Sequence, residues 1–325
     1  MAVLKHARLW FGLAVSALAL YLTLRNVDFA ALVVALQSAQ LWVFPPAFVV
    51  FMVGLSLRAA RWAALMGGAP FALTFRAMTI GYMLNMMLPL RVGELGRAIV
   101  IGQRAPISTA TAFSSIVVER LLDLFAVVLM FAGFALFIPM DESLSRAAIA
   151  GAVLAVGLVI GLAVALSQSA RIERALSALL CRVRWLSVDA WLKRYRDFAA
   201  GFGLVRTPAQ WTLVLGTTIG VWGAAWLLAL IMMAAFLPAR AEQAGLMMVA
   251  SNLGGAAPSA PGGLGPVQLF AKVALVLPFG VDEARATALV FVWSLSQQLT
   301  LVVLGLVSMA QVGLSFGQLR LPRGA

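Results

Sequence analysis

Six apolar stretches, each close to the length of a membrane-crossing helix, constrain this chain more than any other feature. A helix that crosses a bilayer needs about 20 predominantly apolar residues. Hydrophobic residues make up 63% of the 325 residues and charged residues only 11%, whereas soluble domains are about 25% charged. The sequence therefore predicts an all-α polytopic membrane protein and excludes an ordinary soluble enzyme. The predicted spans are residues 9–25, 41–57, 107–138, 146–167, 209–237 and 284–314.

Two further apolar stretches, 77–103 and 245–280, are interrupted by Pro and Gly. Pro and Gly break helices, and broken backbone at membrane depth persists only where it is buried in protein or lines a wet cavity. We therefore predict that each stretch forms a re-entrant hairpin of two half-helices.

The Lys and Arg residues predict the orientation, since cytoplasmic loops carry an excess of positive charge. When the six spans are threaded from an inside N-terminus, most of the 24 Lys and Arg residues fall on the inner side. The sequence thus predicts a bacterial cytoplasmic (inner) membrane protein with both termini in the cytoplasm. The net charge of +12 is mainly explained by this topology, so no nucleic-acid partner is predicted. The polar segment 168–208 is either a set of amphipathic helices on the cytoplasmic surface or a plain connecting loop.

The same threading produces two units with the same order of elements and opposite topology. The first unit covers about 41–138 and the second about 209–314, each with a span, a hairpin and a span, and the link is the span 146–167 followed by segment 168–208. Paired interrupted segments in two halves are typical of the central site of a transporter. We predict a single transmembrane domain, residues 1–325, built on an inverted-topology repeat. A short sequence echo accompanies it, because Gly93-Glu94-Leu95-Gly96 resembles Gly262-Gly263-Leu264-Gly265.

Three ionisable residues, Glu119, Arg120 and Asp123, stand inside the apolar stretch 107–138. A charged side chain at the bilayer centre costs about 2.5–3.5 kcal/mol on insertion scales, so such residues need partners or a wet cavity. Glu119 and Asp123 share a helix face because they are four residues apart. The pattern leaves three interpretations open: a structural ion pair, a charged wall for a polar headgroup, or a proton relay.

The two hairpins supply the remaining candidate residues. In the first hairpin, Arg91 and Arg97 beside Glu94 suit a phosphate group, or are simply interfacial arginines. Arg58 and Arg61, at the end of the second span, are interpreted as snorkelling anchors or headgroup ligands. The second hairpin and the last span offer uncharged donors and acceptors for a ligand or for interhelical hydrogen bonds. Together, the predicted headgroup-binding residues are Asn85, Arg91, Glu94, Arg97, Glu119, Arg120, Asp123, Asn252, Ser259, Gln268, Gln297 and Gln298.

Three motifs in this order resemble the lysylphosphatidylglycerol synthase transmembrane-region family, which includes flippase-like domains. They are Asn85…Pro89…Arg91-Val92-Gly93-Glu94…Arg97, then Val117-Val118-Glu119-Arg120-Leu121-Leu122-Asp123, then Pro261-Gly262-Gly263-Leu264-Gly265. The resemblance covers about residues 5–315 and implies lipid translocation or headgroup handling. Where the family commonly has an acidic residue three places after this last glycine, the chain has Gln268. We expect no soluble aminoacyltransferase domain, because about ten residues follow the last span.

From the residues and the resemblance together, we predict a lipid flippase that moves a phospholipid or hopanoid between leaflets. The expected partners are an anionic phospholipid, an aminoacyl phospholipid or a hopanoid, and homo-oligomer formation is left open. Two alternatives are an integral-membrane transferase acting on a lipid-linked substrate and a lipid-binding scaffold that transports nothing. The single His6 and the single Cys181 give no catalytic constellation, so we predict no enzyme activity, no metal and no cofactor.

The predicted topology places residues 240–243 on the outer side of the membrane. With Cys181 replaced by Ser, a cysteine introduced at Glu242 should react with an impermeant maleimide added to spheroplasts. Labelling of Glu242→Cys only after the cells are lysed would contradict the inverted repeat.

Overall fold

The computed structural model describes residues 2–88, 92–135 and 207–314, together with isolated positions between 153 and 196. In these ranges the chain is helical and contains no strand, which confirms the predicted all-α class. Two short 3₁₀ turns, Leu41–Val43 and Pro261–Gly263, accompany the helices. The helices are α1 (Ala2–Leu24), α2 (Phe29–Gln37), α3 (Phe44–Leu65), α4 (Phe71–Met87), α5 (Gly93–Arg104), α6 (Thr109–Ala135), α7 (Pro208–Met233), α8 (Ala241–Ala256), α9 (Pro266–Phe279) and α10 (Glu283–Val312).

Four helical segments in the described ranges are long and apolar enough to cross a bilayer. A fifth span arises if α1 and α2, which meet at an angle of 84°, form one broken crossing. The chain is therefore an integral membrane protein, while the numbers of six spans and two re-entrant hairpins stay predictions. The predicted span 146–167 lies outside the described residues except for two isolated positions, as does nearly all of the segment 168–208. The four segments are Leu41–Leu65, Pro208–Met233, Pro261–Phe279 and Glu283–Val312.

Helix α3 extends eight residues beyond the predicted span 41–57 and ends at Leu65. It begins with a proline in its first turn, where the missing N–H costs no hydrogen bond. Beyond residue 57, no Gly or Pro follows until Gly67 and Gly68, which have φ values of 76° and 97°. The longer helix carries Arg58 and Arg61 into the protein, which decides the composition of the site described below.

Helices α3 and α7 pack together with opposite chain directions. Gly54 faces Ala224 and Leu57 faces Gly220, so residue numbers rise along one helix as they fall along the other. Small residues at such a contact let two backbones approach closely. Helix α6 also runs antiparallel to α3, because Trp62 contacts Ser115 while the charged residues nearer the start of α3 contact those further along α6. The last turn of α6 and the first turn of α7 therefore lie at opposite ends of the bundle.

Helices α4 with α5, and α8 with α9, form two pairs of short helices. Their lengths are 17, 12, 16 and 14 residues, all below the ~20 residues of a full span. In each pair a glycine lets the first helix touch the start of the second. A Cβ on Gly93 would overlap the carbonyl oxygen of Gly81, and a Cβ on Gly254 would overlap the carbonyl oxygen of Pro266.

These helix starts correct the sequence echo noted above. Gly93 and Pro266 are the first residues of α5 and α9. Gly93 lies as many residues after Gly81 as Pro266 lies after Gly254. The segment Gly93-Glu94-Leu95-Gly96 therefore belongs to the first turn of α5, whereas Gly262–Gly265 precedes α9. The two segments are not structurally equivalent, although the order of helices in the two units is the same. The repeat itself stays a prediction.

We predict that Gly93→Ala lowers the stability of the fold, because its Cβ has no room beside Gly81. Overpacking of this kind costs roughly 1–3 kcal/mol, so the thermal midpoint in detergent should fall. Gly223→Ala is the matched control, because Gly223 lies in α7 with open space around its Cβ position. That substitution should leave the midpoint unchanged or raise it, since Ala favours a helix by about 0.5–1 kcal/mol. Equal midpoints for the two variants would contradict the close crossing.

Candidate functional site

The tips of the two short-helix pairs meet at a cavity of about 570 Å³. The first pair contributes Asn85, Met86 and Glu94, and the second pair contributes the segment from Ala257 to Gly263. The tips are in direct contact, because a Cβ on Gly262 would lie 3.3 Å from the Sδ atom of Met86. The Nε2 atom of Gln298 in α10 also donates a hydrogen bond of 3.1 Å to the carbonyl oxygen of Gly262. A membrane protein tolerates such irregular backbone only where it is buried in protein or lines a cavity.

One wall of the cavity is charged and is formed by Arg58, Glu94 and Arg120, from helices α3, α5 and α6. Their side chains are 22%, 26% and 36% exposed. The Nε atom of Arg120 lies 3.8 Å from Glu94 Oε1. We call these three residues the charged wall. A denser set of ion pairs lies behind it, on the side away from the cavity.

Behind the charged wall, Glu119 is completely buried and touches three guanidinium groups. Its Oε1 atom lies 2.7 Å from Arg120 Nη2 and 3.4 Å from Arg61 Nη2, and its Oε2 atom lies 3.0 Å from Arg97 Nη2. These arginines come from α3, α5 and α6 itself. A single carboxylate therefore joins three helices.

Asp123, one helical turn further along α6, connects the same network to α7. Its Oδ1 atom lies 2.8 Å from Arg61 Nη2, and its Oδ2 atom lies 3.3 Å from Arg120 Nη2 and 3.8 Å from Arg58 Nη1. The indole Nε1 of Trp222 donates to Asp123 Oδ1 at 3.3 Å. Arg61 Nη1 also donates to Thr218 Oγ1 in α7, at 3.4 Å.

Two tryptophans cover the faces of the arginines. The Arg97 guanidinium lies 4.6 Å from the ring centre of Trp62, and that of Arg58 lies 5.7 Å from the ring centre of Trp222. The buried indole of Trp62 donates to Ser115 Oγ at 2.9 Å. Cation–π contacts of this kind stabilise a desolvated cation by about 2 kcal/mol. They hold the guanidinium planes where the carboxylates need them.

The interpretation of Arg61 as a snorkelling anchor is wrong. Arg61 has no exposed surface and pairs with Glu119 and Asp123. The physical reason is that a buried carboxylate must be paired, and α3 passes directly beside α6. Arg58 is only partly exposed and faces the cavity. For Arg58, a position in the cavity lining agrees with the alternative interpretation as a headgroup ligand. The sequence analysis did not single out Tyr82, which also lines the cavity.

Among the described residues, those that the second unit contributes to the cavity are uncharged. Its polar members are Asn252, Ser259, Gln297 and Gln298, which we call the uncharged wall. The amide nitrogens of Asn252 and Gln297 donate to carbonyl oxygens of their own helices, at 2.9 Å and 3.0 Å. Each amide therefore keeps its carbonyl oxygen and its second N–H for other partners.

Four of the predicted binding residues do not line this cavity. Glu119, Asp123 and Arg97 lie behind the charged wall. Gln268 is fully buried. Its Oε1 accepts a hydrogen bond from the backbone N–H of Gly265 and its Nε2 donates to Ser294 Oγ, both at 2.8 Å. It caps the start of α9, which explains why an uncharged amide suits the position.

Asn85 both lines the cavity and holds the first tip together. Its Oδ1 accepts a hydrogen bond of 2.8 Å from the backbone N–H of Gly93, at the start of α5. Arg91 lies outside the described residues. Within the described ranges, no group of three or more His, Cys, Asp or Glu residues is placed to hold a metal ion. The binding roles of all these residues stay predictions.

Comparison with known proteins identifies a family but no individual relative. Residues 9–305 match the family described as the lysylphosphatidylglycerol synthase TM region. This confirms the resemblance, and the chain belongs to that family. No curated protein and no solved structure matches the chain.

We predict that Glu119→Gln strongly destabilises the protein, because it leaves Arg61 and Arg97 buried without their shared carboxylate. Breaking a buried ion pair in this way costs roughly 3–5 kcal/mol. Glu94→Gln is the matched control, since Glu94 is partly exposed and its contact with Arg120 is long. Loss of an exposed pair costs about 1 kcal/mol or less. Thermal unfolding in detergent measures both, and similar midpoints would show that Glu119 is not a structural centre.

Proposed function

We propose that this family member moves a polar lipid between the leaflets of the bacterial cytoplasmic membrane. The observation that carries the proposal is the cavity between the two helix-pair tips, with the charged wall on one side and uncharged polar groups on the other. A headgroup crossing the bilayer needs polar partners at a depth where the lipid tails offer none. The family's link to membrane lipids supports this direction.

The cavity also suits the apolar part of a lipid. Val50, Phe51, Leu55 and Leu301 line it beside the polar groups. We infer that the headgroup occupies the polar region while the acyl chains stay against these side chains and the bilayer. The ion pairs behind the wall keep the guanidinium groups oriented before the lipid arrives, so little ordering is needed on binding.

The second tip provides the element that changes shape during transport. Gly262, Gly263 and Gly265 have φ values of 75°, 70° and 96°, which glycine adopts without a steric penalty. We propose that the two units, in an inverted repeat with both termini in the cytoplasm, rock against each other around the cavity. Each side of the membrane would then gain access in turn.

The test is lipid movement in vesicles. Reconstituted protein should expose acyl-labelled phospholipid from the inner leaflet to dithionite faster than protein-free vesicles do. We predict that Arg120→Gln reduces this rate at least tenfold, because Arg120 faces the cavity. Folding should be retained, because Glu119 still forms its ion pairs with Arg61 and Arg97. Arg25→Gln, at an exposed position away from the cavity, should match the wild type.

Three outcomes would overturn the proposal. Unchanged leaflet asymmetry with folded wild-type protein would favour a lipid-binding scaffold. Appearance of a covalently altered lipid in the vesicles, detected by mass spectrometry, would favour a transferase. Equal rates for Arg120→Gln and the wild type would show that the lipid does not pass through this cavity.

A further inference from the structure

The charge balance of the cavity indicates which kind of headgroup it accepts. Among the described residues, the network contains four guanidinium groups and three carboxylates. Those that line the cavity are Arg58, Arg120 and Glu94. The positive charge is therefore in excess both in the network and at the cavity surface.

The position of the carboxylates strengthens this imbalance. Glu119 is completely buried and already contacts three arginines, and Asp123 contacts three as well. Glu94 faces the cavity beside Arg120, which offsets its charge. In the described part of the chain, the uncharged wall adds no charge, because its polar residues are amides and a hydroxyl, and the buried Gln268 is uncharged. A cationic headgroup would meet no free carboxylate among these residues.

Arg58 and Arg120 line the cavity together. Arg58 Nη1 and Arg120 Nη2 both lie within 4 Å of Asp123 Oδ2, so this buried carboxylate holds the two guanidinium groups side by side. Two neighbouring guanidinium groups suit a phosphate, which accepts several charge-assisted hydrogen bonds. Arg58 contacts the ring of Trp222 and is 3.8 Å from Asp123, and because a guanidinium carries five N–H donors, Arg58 has donors left for a ligand.

The uncharged wall suits hydroxyl groups. Asn252 and Gln297 each use one amide N–H on their own helix, which leaves a carbonyl oxygen and a second N–H on each. A hydroxyl both donates and accepts, so it matches such an amide better than an ammonium, which only donates. The apolar residues beside it favour a lipid over a water-soluble phosphate ester.

We propose that the cavity binds an anionic phosphodiester lipid with an uncharged, hydroxyl-bearing headgroup. The phosphate contacts Arg58 and Arg120, and the headgroup hydroxyls contact Asn252 and Gln297. An aminoacyl phospholipid, whose headgroup carries an extra ammonium group, is disfavoured. This inference rests on the proposed function for its biological meaning, but it concerns binding and is tested separately from transport.

The test uses full-length protein in detergent micelles and acyl-labelled phosphatidylglycerol, with binding followed by fluorescence anisotropy. Unlabelled lipids with the same chains compete. Phosphatidylglycerol should compete about tenfold better than phosphatidylethanolamine or lysylphosphatidylglycerol, the factor expected for one unit charge acting near the cavity surface. Equal or better competition by either of the other lipids would overturn the proposal.

Two substitutions with opposite expected effects separate binding from folding. Arg58→Gln should weaken phosphatidylglycerol binding roughly tenfold. Glu94→Gln should strengthen it severalfold, because it removes the carboxylate that the described lining residues place at the cavity surface. Arg58→Lys should keep most of the preference because it keeps the charge, and Arg25→Gln should change nothing. A misfolded variant cannot bind more tightly, so weaker binding by Glu94→Gln would contradict the proposal.

Two further experiments show whether the ligand is a lipid or a soluble phosphate ester, and whether a failure concerns binding or transport. Displacement by soluble glycerophosphoglycerol at the same concentration as the lipid would overturn the assignment of a lipid. If phosphatidylglycerol binds with the expected charge pattern but does not move between leaflets, the binding class stands and the transport function fails. If lysylphosphatidylglycerol moves faster than phosphatidylglycerol, transport stands and the binding class is overturned.

Discussion

Glu119 is a buried carboxylate that contacts guanidinium groups from α3, α5 and α6, and the arrangement of the cavity follows from this contact. A carboxylate taken out of water is stable only when paired and hydrogen-bonded. The three helices must therefore approach closely enough for Arg61, Arg97 and Arg120 to reach it. That approach places Arg58 and Glu94 at the cavity surface and brings the start of α5 against α4, where Gly81 and Gly93 leave the necessary space.

The sequence predicted the helices well because breakers and apolar runs are local signals. Gly and Pro marked both interrupted stretches, and the structure places helix ends there. The sequence also singled out Glu119, Arg120 and Asp123, since ions inside an apolar run stand out without any knowledge of the fold. Seven of the predicted binding residues line one cavity: Asn85, Glu94, Arg120, Asn252, Ser259, Gln297 and Gln298.

The role of Arg61 could not be predicted in the same way. Hydropathy ended the second span at the first charge, so Arg61 was assigned to the membrane surface. Its partners Glu119 and Asp123 lie some sixty residues further along the chain, and no local pattern reports that the two helices are neighbours. Gln268 shows the same limit. Whether it meets a ligand or caps a helix depends on the direction of its side chain, which spacing does not determine.

The two units are joined unequally across the interface between α3 and α7. Every ion pair of the network lies within α3, α5 and α6, whereas α7 is attached through two longer hydrogen bonds, from Trp222 to Asp123 and from Arg61 to Thr218. Gly54 and Gly220 let the two helices approach closely. A sliding of α7 along α3 therefore leaves these ion pairs intact and changes the two hydrogen bonds and the contact of Arg58 with the ring of Trp222. The arginines and carboxylates would travel together as a rigid block, with their charges still paired.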